Sequence, residues 1–187
     1  MKLGRPGEWL VEKHGTSRRR SWRKLHIGFD AVTGRIVASP LTDRDVDDAS
    51  QVEPLLDQIA EPVGLFMGDG GYDRTGVYNA LDQRHPAATV VVPPRADAVL
   101  SATADTDPTQ RDCHIQRIAE KGRLAWQRDS GYNDRARVEG QFARWKQVIG
   151  DGLRFHSDEA RATEVAIAAQ VLNRMLDLGC PNSVRVA

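Results

Sequence analysis

Two short stretches carry residue types that can hold a cation or a phosphate. The first is Gly68-Asp69-Gly70-Gly71-Tyr72-Asp73. Asp69 stands directly after the apolar run Val63–Met67 and before a stretch that reads as helix. In open α/β sheets functional groups gather at the carboxyl ends of strands, where rigid backbone fixes a carboxylate. The glycines let a bulky ligand come close. The same residues are also ordinary turn chemistry, with Asp69 or Asp73 capping the next helix. The second stretch spaces Tyr132, Arg135, Glu139 and Lys146 so that, at helical pitch, they fall within about 60° of one another. Val138, Phe142, Trp145 and Ile149 make an apolar stripe to one side. A Glu flanked by Arg and Lys stays ionised beside a metal while the cations take phosphates. The plainer account is an amphipathic helix with surface ion pairs, Arg135 and Glu139 being i,i+4 neighbours.

These residues need elements to position them. Lys24–Asp30 alternates polar and apolar, and Arg35–Ser39 follows turn chemistry at residues 31–34, so residues 24–41 read as a β-hairpin. Asp47–Ala60 has helix spacing in Val52, Leu55, Leu56 and Ile59, with an acidic start that suits the positive helix end. Val63–Met67 and Ala88–Val92 are continuous apolar runs, expected as strands covered on both faces. Arg74–Gln83 between them reads as helix, so the two strands are expected parallel. Arg95–Ser130 is polar and irregular, with a helix around Asp112–Glu120. Asn133–Ile149 and Asp158–Leu178 are the strongest helices, the last with Ser157 as N-cap and Gly179 as stop. Residues 1–21 read as loop with a short strand around Trp9–Glu12. The order predicts an α/β layer fold with a mixed sheet in one domain spanning residues 1–187.

The 187 residues hold 26 Lys+Arg and 26 Asp+Glu, so net charge is zero and gives no general affinity for polyanions. The distribution is uneven, however. Eight basic residues, Lys2, Arg5, Lys13, Arg18, Arg19, Arg20, Arg23 and Lys24, face only Glu8 and Glu12 in the first 24 positions. A local basic stripe of that kind is enough to contact nucleic acid; it is equally the composition of a solvated loop. No apolar stretch is long enough for a membrane helix, and the start lacks the apolar core of a secretory signal. Cys113 and Cys180 make no disulfide framework or metal pattern, and the five histidines show no ligand spacing, which assigns them structural or surface roles. Of the acids Asp43, Asp45, Asp47 and Asp48, Asp48 is a candidate helper to a metal site.

At Tyr132-x2-Arg135-x3-Glu139-x6-Lys146 the chain resembles bacterial insertion-sequence transposases of the DDE class, whose final acid carries this signature. The Asp69-Gly-Gly-Tyr72-Asp73 block resembles the family's motif around its second acid. Gly7-Glu8-Trp9, Lys13-His14-Gly15, Trp22–His26, Val92–Arg95 and Leu172–Met175 are similar to further family blocks, so the likeness covers nearly the whole chain. The resemblance implies an RNase H-like fold and three carboxylates holding two divalent ions, Mg²⁺ or alternatively Mn²⁺. Asp69 and Glu139 would be the second and third ligands. Arg135 and Lys146 would grip the DNA backbone, with Tyr132 beside them. Arg18, Arg19, Arg20, Arg23 and Lys24 would be DNA contacts. The implied partners are transposon terminal repeats and target DNA, in a homo-oligomeric complex without membrane, cytoplasmic and nucleoid-associated. The family's first Asp lies in an Asp-Ser/Ala-Thr-Gly-Leu-Lys stretch whose Lys matches Lys2. That places the catalytic Asp ahead of Met1, with the first strand lost and the 187 residues alone inactive. Asp30 is the nearest replacement by sequence. The alternative expectation is a truncated DNA-binding or partner-binding inhibitor of the full-length enzyme.

Overall fold

A computed structural model describes residues 1–3 and 22–179. The strand expected near Trp9–Glu12 and the basic residues Arg18, Arg19 and Arg20 lie outside the described residues. The chain divides into two compact units, one built from Met1–Val46 and Gly140–Ala187, the other from Asp47–Glu139.

In the first unit β1 (Lys2–Leu3), β2 (Arg23–Leu25) and β5 (Leu41–Asp43) form an antiparallel sheet with β2 central. In the β1–β2 pair Lys2 stands opposite Lys24 and Leu3 opposite Arg23. β3 (Gly28–Phe29) and β4 (Ile36–Ala38) form a second antiparallel ladder. The expected hairpin over 24–41 is therefore present but broken in two. Pro40 has no N–H to donate, and only its carbonyl contributes, accepting from His26 N at 3.0 Å. At the tip, Asp30 Oδ1 accepts from Val32 N and Thr33 N at 2.7 and 2.8 Å, and Gly34 takes φ +71°. Those backbone N–H groups hold the Asp30 carboxyl below its ordinary value.

The long helix, residues Asp158–Leu178, has the bounds read from its caps. Ser157 Oγ accepts from Ala160 N at 3.3 Å, and Gly179 ends it at φ +72°. Val165, Ala168, Ala169 and Leu172 sit at i, i+3, i+4, i+7 and bury against Leu3, Leu25, Ile36, Trp145 and Leu153. Asn173 completes the face with two hydrogen bonds to the backbone of one residue. Its Oδ1 accepts from Ile36 N and its Nδ2 donates to Ile36 O, both at 2.8 Å.

The second unit begins with a 3-10 turn at Ala49–Gln51 running into α1 (Val52–Leu56). This helix is shorter than the expected Asp47–Ala60. Beyond Leu56 the bonds tighten to i→i−3, from Gln58 N and Ile59 N, before Glu61-Pro62 turns the chain away. β6 (Leu65–Met67), α2 (Thr75–Arg84) and β7 (Thr89–Val91) make a βαβ unit with parallel strands, Phe66 opposite Val90. Val90, Val91 and Val92 are buried as expected for cover on both faces, whereas Leu65 is 49% exposed, which corrects that expectation for β6. Among the described residues β6 pairs with β7 alone.

The tract expected to be mostly irregular holds two helices, α3 (Gln110–Lys121) and α4 (Arg123–Asp129), separated by Gly122 at φ +81°. A capping box starts α3: Thr109 accepts from Asp112 N, and Asp112 accepts from Thr109 N at 2.9 Å. A 3-10 turn, Tyr132–Arg135, precedes α5 (Ala136–Val148), which contributes residues to both units; the Asp158–Leu178 helix is α6. The described strands thus fall into three small sheets where a continuous mixed sheet was expected.

Candidate active site

Asp69 leaves β6 with extended backbone and caps the 3-10 turn Gly70–Tyr72, its Oδ1 accepting from Gly71 N at 2.9 Å. A Cβ on Gly71 would stand 2.9 Å from that oxygen, and one on Gly68 would meet the Tyr72 ring at 2.8 Å. Gly68 and Gly71 are therefore favoured by close contacts within the block itself, whereas a Cβ on Gly70 would meet nothing nearer than Pro93 O at 3.5 Å. Tyr72 packs edge-on against Phe66, with ring centroids 5.9 Å apart. Burial raises its hydroxyl above the ordinary value, and the charges of Asp48, Asp69 and Asp47 add to the shift while Arg135 opposes it. Of these acids Asp47 is engaged with Arg74 at 3.0 Å and caps Ser50 N at 3.3 Å.

Asp73 does not cap α2, although the sequence allowed it. Its side chain is fully buried and accepts from Arg111 Nε at 2.6 Å, Arg111 Nη2 at 3.2 Å and Arg95 N at 2.8 Å. It pins the segment after β7 to α3 and, with its side chain wholly buried, is closed to a ligand from solvent.

Tyr132 and Arg135 belong to the 3-10 turn and not to α5, so α-helical spacing does not align them. In a 3-10 turn, side chains at i and i+3 eclipse, which places these two in line by a different period. Tyr132 packs on Trp126 with centroids 5.4 Å apart. Trp126 is fully buried, and its Nε1 donates to His114 Nδ1 at 3.0 Å. With Nδ1 accepting, the proton of a neutral His114 sits on Nε2, which donates to Val90 O at 2.7 Å. Burial holds His114 below its ordinary pKa, in keeping with that neutral form. The turn bearing Arg135 is thus tied through Tyr132, Trp126 and His114 to β7, the strand that pairs with the one delivering Asp69. His114 and Trp126 were not singled out for this role by the sequence. The available signal was an aromatic residue inside a polar tract.

The arrangement brings two of the expected site residues onto one cation. Arg135 Nη2 lies 3.5 Å from Asp69 Oδ2, and Arg135 Nη1 lies 3.8 Å from Glu139 Oε1. Both carboxylates are open to solvent, with side chains 51% and 75% exposed. Burial raises the Tyr132 hydroxyl, Asp69 adds to that, and Arg135 and Arg123 oppose it. Oxygen donors converging on one positive group are the chemistry a hard divalent ion requires. Asp69 and Glu139 supply two such donors; among the described residues no group of three His, Cys, Asp or Glu side chains is placed to hold a metal.

A family model described as "Transposase DDE domain" matches residues 1–176. The chain belongs to the transposase DDE domain family. Membership connects it with DNA transposition in general and with the polynucleotidyl transferase and endonuclease chemistry of DDE transposases, which generally use divalent metals. No solved structure matches the chain. Within this transposase domain, the other expected contacts sit in the first unit. Lys146 is an exposed residue of α5. Arg23 is engaged by Asp43 and by Asp158, the latter at 2.6 Å. Lys24 Nζ donates to Val46 O at 3.1 Å. His26 is buried and meets Thr42 Oγ1 at 2.8 Å, a structural role. Among the described residues no helix is long and apolar enough to cross a membrane.

Proposed function

We propose that the chain is the catalytic domain, residues 1–187, of an insertion-sequence transposase that cuts element ends and joins the freed 3′ hydroxyls to target DNA. The observation carrying this reading is the convergence of Asp69 and Glu139, from the two family motifs, on the single guanidinium of Arg135. Asp69 and Glu139 would hold divalent ions, Mg²⁺ with Mn²⁺ as substitute. When bound, such ions supply the charge that activates a nucleophile and stabilises the leaving oxygen in in-line displacement at phosphorus. Arg135 and Lys146 take the DNA backbone as charge-assisted donors. Tyr132, packed at a tilt against Trp126, fixes the turn from which Arg135 projects. Arg18, Arg19, Arg20, Arg23 and Lys24 form the further backbone contact. The βαβ order of the second unit supports an RNase H-like arrangement, and the reading carries with it a cytoplasmic, nucleoid-associated homo-oligomer.

On this reading Asp69 and Glu139 are two of the carboxylates of the metal site, and any cutting of end DNA depends on both. The test is incubation of the chain with inverted-repeat DNA from its element and Mg²⁺ or Mn²⁺. Retention of the DNA is expected, with any strand scission lost in Asp69→Ala and Glu139→Gln. Scission that ignores Asp69→Ala and Glu139→Gln would sink the assignment of these two carboxylates while supporting the transposase itself. Absence of DNA binding counts against both. The competing inhibitor function needs no metal, so inhibition of a full-length transposase that survives Asp69→Asn and Glu139→Gln identifies it.

A further inference from the structure

Arg135 is the positive group on which Asp69 and Glu139 converge, and three features of its setting decide what it does there. First, its distances of 3.5 and 3.8 Å are those of loose ion pairs, longer than direct charge-assisted hydrogen bonds. Secondly, the pairs are open to solvent, Arg135 being 31% exposed and both carboxylates more so, where such contacts contribute little and are readily exchanged. Thirdly, the position of the residue is nevertheless fixed. Tyr132, one 3-10 turn earlier, packs at a tilt against the buried Trp126, itself hydrogen-bonded to His114. A firmly based arginine with weak, exposed contacts is suited to hold two carboxylates near each other and to let them go.

Resting on the metal-site reading above, we propose that Arg135 is an exchangeable counter-cation. In the metal-free protein its guanidinium offsets the repulsion between Asp69 and Glu139. A divalent ion bound by the same carboxylates displaces it. The residue is a competitor of the metal as well as a neighbour, and its charge sets how tightly the ion is held.

The test is Mn²⁺ titration of the intact 187-residue chain, followed by electron paramagnetic resonance of the free ion, with far-ultraviolet circular dichroism as a check on folding. Arg135→Gln removes the charge and is expected to tighten Mn²⁺ binding by roughly three- to tenfold. Arg135→Lys keeps the charge and is expected to stay within about twofold of the wild type. Asp69→Asn and Glu139→Gln each lower binding in either background. Unchanged or weaker binding in Arg135→Gln, with the two carboxylate variants still lowering it, overturns the counter-cation role and leaves the metal reading intact. Mn²⁺ binding that ignores Asp69→Asn and Glu139→Gln, or none at all in both wild type and Arg135→Gln, overturns the metal reading instead.

Discussion

Asp69 and Asp73 stand four residues apart in one glycine-rich block, and their surroundings have little in common. Asp73 is fully buried and receives three donors, two from Arg111 and one from the Arg95 backbone. Asp69 is about half exposed, spends one oxygen on Gly71 N and turns the other to a loosely held arginine. A carboxylate buried and engaged by the fold braces it, and one left half open to solvent is available for chemistry. Asp112 repeats the first type. It accepts from Ser101 N, Ser101 Oγ, Thr109 N and Thr109 Oγ1, and these donors hold its carboxyl well below the ordinary range despite the opposing cost of burial.

The sharpest way to break this contrast is Asp73→Ala. It strands Arg111, whose side chain is 21% exposed, and is expected to cost about 3–5 kcal/mol in urea unfolding. A loss under about 1 kcal/mol would mean that the pair braces nothing. A smaller effect is expected from pH through His114. Its folded pKa is lowered, so the neutral form is favoured in the folded chain. Its contribution to stability is complete above the unfolded value of about 6.5 and is lost as pH falls from there through the folded value. Protonation at Nδ1 removes the acceptor for Trp126, so the near-ultraviolet signal of Trp126 and Tyr132 is expected to weaken over that range. His114→Gln should flatten the dependence; an unaltered profile would assign it to another group. The smallest change is expected from Asp69→Asn and Glu139→Gln, each within about 0.5 kcal/mol of wild-type stability. A larger loss in either would move that residue into the bracing class with Asp73.

The sequence reveals these two classes unevenly. Asp69 and Glu139 can be found in it because a carboxylate after an apolar run, and a Glu between Arg and Lys at fixed spacing, are local patterns that also match a family. Asp73 cannot be sorted from Asp69 by any local pattern, since its partner Arg111 arrives from α3, far along the chain. The same division runs through the fold. α6 is legible from Ser157, Gly179 and an unbroken apolar stripe, and the βαβ unit from two apolar runs and the helix between them. α4 escapes because Leu124, Ala125 and Trp126 lie side by side and show no helical period, Trp126 being buried and Leu124 largely exposed. The break between the 3-10 turn and α5 escapes because the two periods agree closely over so few residues. Pro40, with its missing donor, is a local signal for the interruption of the hairpin that reading residues 24–41 as one hairpin passed over.

The Asn173 amide also determines what the β4 strand can accept from outside. Seen from Ile36, the amide is a one-residue imitation of a neighbouring strand, giving an N–H where a carbonyl waits and a carbonyl where an N–H waits. A backbone already answered in both directions offers no template to an incoming chain at that point. One side chain on α6 thus protects a three-residue strand from uninvited pairing, which no apolar contact of the same helix can do, because apolar contacts do not discriminate between donors and acceptors.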